Sequence, residues 1–288
     1  MDLSLKLKRA FVISALIFIG EFLGGIISNS LALLSDAGHV LTDTFALGLS
    51  LIAAEIAKKP SDFRATYGYH RFGLMAALLN GLSLVGISIY IFYESYRRLL
   101  RPVDIDLSVM LPIAFIGLSG NLIMTLMLGK GHEDLNLRSA WLHVVGDTLS
   151  SIAVIISGGV IYFTGWKTID PLTGILIGLI IIIGGIRVIK ESLHIFLELT
   201  PPGFKTEEIV KEIKEINGIL GIHDVHLWSI TKGQIAFSCH IYVKDQRLSE
   251  LECIKRSVEE VLKKKGINHI ALQFECKECE ETGIYCRL

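Results

Sequence analysis

The feature that most limits what this chain can fold into is a series of long apolar segments in its first 200 residues. A membrane-spanning helix needs about 20 consecutive apolar residues. Glycine pairs, as in "IIGGI", allow such helices to approach closely in lipid. The chain is 51% hydrophobic overall, and its apolar segments are too long to be explained by the core of a soluble protein alone. The sequence therefore predicts six transmembrane helices surrounded by membrane lipid, at residues 10–28, 31–57, 71–96, 107–129, 135–165 and 170–198.

The chain changes character after "TPPGF", where two adjacent prolines follow the last apolar segment. Residues 205–217 and 249–265 have the pattern of amphipathic helices. Strands are predicted at "GIHDVHLWSI", "QIAFSCHIYV" and "HIALQF", the first two joined by the turn "TKGQ". The order αββαβ indicates a small α+β domain. We therefore predict a transmembrane domain at 1–200 and a second domain at 201–288.

The distribution of lysine and arginine predicts how the helices are oriented in the membrane. The loops on the side of the two termini carry most of the basic residues, which predicts that both termini are cytoplasmic. The other side carries Lys167 and three arginines, Arg97, Arg98 and Arg101, which we expect to extend toward lipid headgroups. The net charge of -1 gives no indication of nucleic-acid binding.

A polar motif recurs inside two of the apolar segments. The second segment contains "GHVLTDT" and the fifth contains "LHVVGDT", so each gives His-x-x-x-Asp followed by Thr. Residues four apart lie on one face of a helix, which pairs His39 with Asp43 and His143 with Asp147. Both pairs lie roughly 15 Å inside their helices, near the middle of the bilayer.

Two such pairs on facing helices offer the ligands of a divalent metal ion. Two imidazole nitrogens and two carboxylate oxygens suit a tetrahedral ion, zinc foremost. Charged groups at that depth are costly unless they are neutralised. One dication, two ionised aspartates and two neutral histidines sum to zero, and the empty site approaches neutrality by binding protons. The hypothesis is a site that exchanges a metal ion for protons; hydrogen bonds between helices are the structural alternative.

The motifs "SDAGHVLTDT", "YGYHR" and "WLHVVGDTLSS", with six spans and a trailing αββαβ domain, resemble the cation diffusion facilitator family of zinc transporters. The resemblance covers nearly the whole chain. It implies a homodimeric, proton-coupled exporter that moves Zn²⁺, often also Cd²⁺ or Co²⁺, out of the cytoplasm by alternating access. It also implies a transport site formed by His39, Asp43, His143 and Asp147. The short loop "GKGHEDLN" is similar to the prokaryotic branch, which implies a plasma membrane.

The same resemblance extends to "GIHDVHLWSI" and "SCHIYV" in the second domain. In the family this domain is ferredoxin-like, similar to a metallochaperone. There, such histidines and a C-terminal acidic residue bind zinc that stabilises the dimer. By position, His223, His240 and Glu275 correspond best, and the resemblance gives less support to His226 and His269.

Several other polar residues have open roles. Asp36 lies on the same face as His39 and either passes ions or protons to the site or caps the second helix. Glu21, midway along the first span, is a functional candidate or a protonated, hydrogen-bonded packing residue. Between the second and third segments, Asp62 and His70 lack the spacing of an additional metal site, and His70 is expected to anchor the loop.

All five cysteines lie in the last 50 residues, in charged sequence. Clustered thiols of this kind favour a reducing compartment over a disulfide framework. Cys239 and Cys253 are interpreted as buried or incidental thiols. Cys276 and Cys279 have the spacing of a zinc site, to which Cys286 and a histidine would add ligands; free thiols in a tail are the alternative.

A metal site inside a helical bundle suits three functions: a transporter, an intramembrane metalloenzyme and a metal-sensing scaffold. A zinc hydrolase needs an open ligand position and a general base, as in His-Glu-x-x-His, whereas four ligands close the shell here. A scaffold that acts through its second domain leaves the polar groups at the midplane unexplained. We therefore expect a transporter and no enzymatic activity.

Overall fold

The computed structural model describes residues 3–128, 135–277 and 284. Within the helices, the side chains of some residues lie outside this description: 3–10, 43, 46, 47, 50, 51, 54, 127, 128 and 135–143. Close contacts divide the chain into two compact units. The first unit comprises residues 1–52 and 76–189, and the second comprises 53–75 and 190–288. The domain boundary after residue 200 stays a prediction.

Six long helices occupy the predicted apolar segments. They are α1 (Leu3–Ser28), α2 (Leu31–Ala57), α3 (Arg71–Leu100), α4 (Leu107–Leu128), α5 (Leu135–Thr164) and α6 (Ile169–Phe196). Five of them contain an apolar stretch long enough to cross a membrane; in α2 the described apolar stretch, Leu31–Thr42, is shorter. The predicted helical transmembrane region is confirmed.

The start of α2 is held by a carboxylate from α6. Asp170 accepts hydrogen bonds from the Ser30 hydroxyl at 2.6 Å and from the backbone N–H of Leu31 at 2.7 Å and of Ala32 at 3.3 Å. These N–H groups belong to the first turn of α2, where no earlier carbonyl of the helix can accept their hydrogen bonds. Asp170 therefore caps α2 together with the Ser30 hydroxyl, which accepts a hydrogen bond from the Leu33 N–H at 3.1 Å. The alternative that Asp36 caps this helix is wrong.

The expectation that the arginines of α3 extend toward headgroups is wrong for Arg98. Its side chain is only 12% exposed and lies 4.0 Å from the Asp170 carboxylate. It also donates hydrogen bonds to Glu94 at 3.0 Å and to the carbonyl of Asn29 at 2.5 Å. Asn29 forms the turn between α1 and α2 with a φ of 54°. Arg98 thus joins α3 to the turn that leads into α2.

Glycines let helices α3 and α6 approach closely, as predicted from the glycine pairs. A methyl group on Gly81 would lie 3.1 Å from the carbonyl oxygen of Gly185, and a methyl group on Gly185 would lie 3.1 Å from that of Gly81. The two backbones therefore face each other with no room for a side chain at either position.

The second unit carries a small α+β fold in the predicted order. The elements are α7 (Thr206–Lys214), β1 (Ile219–Thr231), β2 (Gln234–Val243), α8 (Leu248–Lys264) and β3 (His269–Glu275). Strand β1 pairs antiparallel with β2 through a turn at Gly233, where φ is 84°, and β2 pairs parallel with β3. The sheet order is β1-β2-β3. Apolar residues of the sheet and both helices form one core, which includes the buried Phe237 and Leu262.

Candidate metal sites

Helices α2 and α5 bring together one residue from each copy of the His-x-x-x-Asp motif. His39 Nε2 lies 3.3 Å from Asp147 Oδ1, and Asp147 is 6% exposed. Two ligand atoms on one tetrahedral zinc ion, each about 2.0–2.1 Å from the metal, stand about 3.3 Å apart. A direct N–H···O hydrogen bond is usually shorter, near 2.9 Å. The separation thus fits two atoms that share one metal ion, and it equally fits a direct ion pair.

The other two predicted ligands, Asp43 and His143, have their backbones in α2 and α5, and their side chains lie outside the described residues. The described half of the predicted site thus consists of His39 from the first motif and Asp147 from the second.

A hydrogen-bonded cluster joins α2 to α5 beside this pair. Asp36, 1% exposed, accepts hydrogen bonds from the hydroxyls of Ser150 at 2.5 Å and Ser151 at 3.0 Å. The Ser151 hydroxyl in turn accepts one at 3.2 Å from the amide of Asn121 on α4. The sequence analysis did not predict a role for the two serines or Asn121, although the serines come just after the second motif. Their bonds fix the α2–α5 distance on which a shared metal site depends.

Glu21 is buried in the first unit, 1% exposed. Among the residues that the structure describes, neither of its carboxyl oxygens has a hydrogen-bond partner. The described residues therefore do not support the alternative that Glu21 is a hydrogen-bonded packing residue. A buried carboxyl group without such partners is unusual, because burial of a polar group costs free energy unless it is compensated.

In the second unit, adjacent strands gather the three residues that the sequence analysis singled out. His223 on β1 is the register partner of His240 on β2, and Glu275 ends β3. Glu275 lies 3.3 Å from His223 Nε2 and 3.0 Å from His240 Nδ1. One ligand atom from each residue lies within 4.8 Å of the others, close enough to hold a metal ion.

A fourth side chain, Asp224, faces the same cluster and was not predicted. It occupies an irregularity of β1 between His223 and His226 and has a φ of 50°. Its carboxylate lies 3.4 Å from His240 Nε2 and 3.1 Å from His226 Nε2. Both ring nitrogens of His240 therefore face carboxylates. When one nitrogen binds a metal, the carboxylate at the other fixes the tautomer and the orientation of the ring.

The loop between α2 and α3 is organised by Asp62 rather than His70. Asp62 accepts hydrogen bonds at 2.8 Å from the Tyr69 hydroxyl and from the backbone N–H groups of Ala65 and Arg64. These bonds, that of Tyr69 foremost, hold the pKa of the Asp62 carboxyl below its usual value. Among the described residues, no hydrogen bond of the His70 ring is found. The Asp62 carboxylate thus accepts hydrogen bonds from within its own loop.

The remaining candidate ligands are separate from these clusters. The ring of His269 packs edge-on against Tyr67, with 5.4 Å between centroids. Cys276 is exposed. Cys279 and Cys286 lie outside the described residues, so their role as metal ligands stays a prediction.

Comparison with known proteins assigns both parts of the chain. Residues 7–197 match the cation efflux transmembrane domain, and residues 201–276 match the cation efflux protein cytoplasmic domain. The chain is 41% identical over 276 residues to a cadmium, cobalt and zinc/H(+)-K(+) antiporter of Bacillus velezensis, covering 93% of this chain and 88% of the relative. It is 39% identical over 279 residues to the metal cation efflux system protein CzcD of Cupriavidus metallidurans, covering 96% and 88%. It is 33% identical over 291 residues to the zinc transporter ZitB of Escherichia coli, covering 98% and 90%.

Proposed function

This chain belongs to the cation efflux family, and we propose that it is a proton-coupled secondary transporter that exports divalent transition-metal cations from the cytoplasm by alternating access. Zn²⁺ is the foremost substrate, with Cd²⁺ and Co²⁺ as further ones. The relatives are described as efflux proteins, as a zinc transporter and as an antiporter of cadmium, cobalt and zinc against protons and potassium. A metal-transporting family also argues against the metalloenzyme alternative.

The observation that carries the proposal is the pair formed by half-buried His39 and buried Asp147 on two different helices. An imidazole and a carboxylate are the ligand types that suit zinc. In the proposed site they are joined by Asp43 and His143, the other members of the two motifs. Because the four ligands come from α2 and α5, a relative movement of these helices against the rest of the bundle can expose the ion to one side and then to the other.

Proton exchange follows from the charge of the proposed site. Two carboxylates and two neutral histidines balance one dication. When the dication leaves, two negative charges remain in surroundings that strongly disfavour them. Protons neutralise these charges, and the next dication displaces the protons because metal ligands must be deprotonated. Metal and protons therefore occupy the site alternately, which is the basis of antiport.

We also propose that the cluster of His223, His240 and Glu275 binds a structural zinc ion in the cytoplasm and stabilises a homodimer. Asp224 is added to the predicted set as a fourth ligand or as the group that orients His240. The chain is a multi-pass membrane protein, and we place it in the plasma membrane with both termini in the cytoplasm.

Zinc uptake into vesicles containing the purified protein tests the transport site. Asp147→Ala is expected to abolish uptake, because it removes a ligand of the transported ion. The double substitution His223→Ala, His240→Ala is the matched comparison, since it removes two ligands from the cytoplasmic cluster only. Direct metal analysis of both proteins is expected to show the loss of one zinc ion per chain from a different site in each.

Two results would contradict the proposal. Unaffected export by Asp147→Ala would remove the motif from the mechanism. Export that fails only in the cytoplasmic double variant would favour the metal-sensing scaffold.

A further inference from the structure

An apolar groove on the first unit has a carboxyl group among its lining residues. The groove runs between α1 and α4 and has a volume of about 460 Å³. Its rim is formed by apolar residues such as Leu16 and Ile116, which are 65% and 67% exposed. Glu21 is the one lining residue of the groove that carries an ionisable group. In a membrane, the open side of such a groove is apolar.

The carboxyl group of Glu21 is placed against the backbone of α4. A methyl group on Gly117 would come within 2.2 Å of Glu21 Oε1, so the carboxyl group would have to move if this residue carried a side chain. Glu21 is 1% exposed, and its oxygens make no hydrogen bond to any described residue. A carboxylate ion in this position costs far more free energy than a neutral carboxylic acid, because no described residue donates a hydrogen bond in place of the lost water.

The charges around Glu21 also disfavour its ionised form. The described part of α1, residues 11–28, contains no other charged residue, and neither does α4 over 107–126. The described ionisable groups that act on Glu21 through their charge are Asp36 on α2 and Asp147 on α5. Negative charge on either of these carboxyl groups disfavours a negative charge on Glu21. No described cation offsets this repulsion.

We propose that Glu21 is a proton-binding site that works with the metal site. It holds a proton as a carboxylic acid while the metal site is empty. Its hold on this proton weakens when a dication binds at His39 and Asp147, because the dication cancels negative charge that disfavours ionised Glu21. The proton leaves the carboxyl oxygen for solvent, and a carboxylate remains. By linkage, protonated Glu21 weakens metal binding to the same degree. The inference depends on the transport function proposed above and adds a second place where a proton is carried.

Reaction with dicyclohexylcarbodiimide tests the protonation state directly. This apolar reagent modifies carboxylic acids in apolar surroundings, and peptide mass spectrometry locates the product. In the full chain, purified in detergent without zinc, Glu21 is expected to be modified at pH 7 and more slowly as the pH rises. Saturating zinc is expected to slow the modification by about fivefold or more, the lower end of usual coupling between sites. No modification of Glu21 between pH 6 and 8, or a rate that zinc leaves unchanged, would overturn the proposal.

Two glycine variants control for the position of the carboxyl group. Gly117→Ala is expected to change the rate of Glu21 modification, because the new methyl group takes the place of Oε1. Gly20→Ala is the matched control in the same groove, since a methyl group there meets nothing within 4 Å. It is expected to retain the wild-type rate. Equal rates in both variants would contradict the placement of the carboxyl group against α4.

The number of protons released per zinc ion bound is the second test. It is obtained from calorimetric titrations of the full chain with zinc in buffers of different ionisation enthalpy. Glu21→Gln is expected to release fewer protons than wild type, with the same number of zinc ions bound, because an amide carries no exchangeable acid proton at this pH. Equal proton release would remove Glu21 from proton binding. Zinc uptake by the wild-type protein in vesicles tests the transport function separately, so the two failures are distinguishable.

Discussion

The buried polar residues of the transmembrane helices differ in what they contact. Asp170 and Asp36 accept hydrogen bonds from serine hydroxyls, and Asp170 also accepts them from backbone N–H groups. His39 and Asp147 face each other at a distance that suits a shared ion, while Glu21 has no hydrogen-bond partner among the described residues. Since buried polar groups are stable only when they are compensated, the first pair serves the fold. Among the described residues, we propose that the other three bind cations and protons.

Cys239 in strand β2 is expected to resist thiol reagents. It is 1% exposed, and burial raises the pKa of its thiol to about 12. The reactive thiolate forms only as the pH rises through that value, so at pH 8 about one thiol in 10,000 is ionised. Iodoacetamide should therefore modify the exposed Cys253 in the folded protein, and Cys239 only after denaturation, at any pH from 6 to 9. Peptide mass spectrometry measures both rates, with Cys253→Ser as the control. Equal rates would contradict the burial of Cys239.

At the scale of elements, the six helices and the αββαβ order could be predicted, because apolar run length and hydrophobic periodicity are local properties of a sequence. Long-range polar contacts could not be predicted in this way. Asp170 caps α2 from a position 139 residues away from Leu31, and no local pattern indicates such a pairing. Asp224 reaches the cluster of His223, His240 and Glu275 through an irregular strand with a positive φ, which the alternating strand pattern does not predict. The two motifs predicted His39 and Asp147 as neighbours because their depths match.

Asp170→Ala is expected to destabilise the transmembrane unit. The change leaves the N–H groups of Leu31 and Ala32 and the Ser30 hydroxyl without this acceptor, at a cost of about 2 kcal/mol, the upper end of helix-cap effects. The melting temperature in detergent should fall. Asp104→Ala serves as the control, since Asp104 pairs with Lys167 on an exposed surface, where ion pairs contribute little. Equal melting temperatures for the two variants would contradict the role of Asp170 as a cap.

The crossing of α3 and α6 gives a second stability prediction with a neighbouring control. In Gly185→Ala, the new methyl group would lie 2.9 Å from Leu84 Cβ and 3.1 Å from the carbonyl oxygen of Gly81. Overpacking of this kind costs about 1–3 kcal/mol. In Gly184→Ala the methyl group meets nothing within 4 Å, and alanine favours the helix. The melting temperature in detergent should be lower for Gly185→Ala than for Gly184→Ala. Equal stability of the two variants would show that the helices do not cross there.

At the scale of the whole molecule, two candidate metal sites belong to two separate units. The site of His39 and Asp147 lies in the first unit, and the cluster of His223, His240 and Glu275 lies in the second. The first is built for exchange, because the proposed ion and protons neutralise the same carboxylates in turn. The second suits an ion that stays, since residues on three paired strands hold its ligands in fixed positions. We therefore propose that one metal is cargo and the other part of the structure.

The measurement that tests the central claim most directly is zinc uptake by the purified protein in sealed vesicles, with and without a pH gradient. If zinc leaves its site only as protons replace it, an outward-directed proton gradient must drive uptake, and an ionophore that collapses the gradient must slow it. We predict faster uptake with the gradient in the wild-type protein and none in Asp147→Ala. Equal rates with and without the gradient would contradict the exchange of zinc for protons.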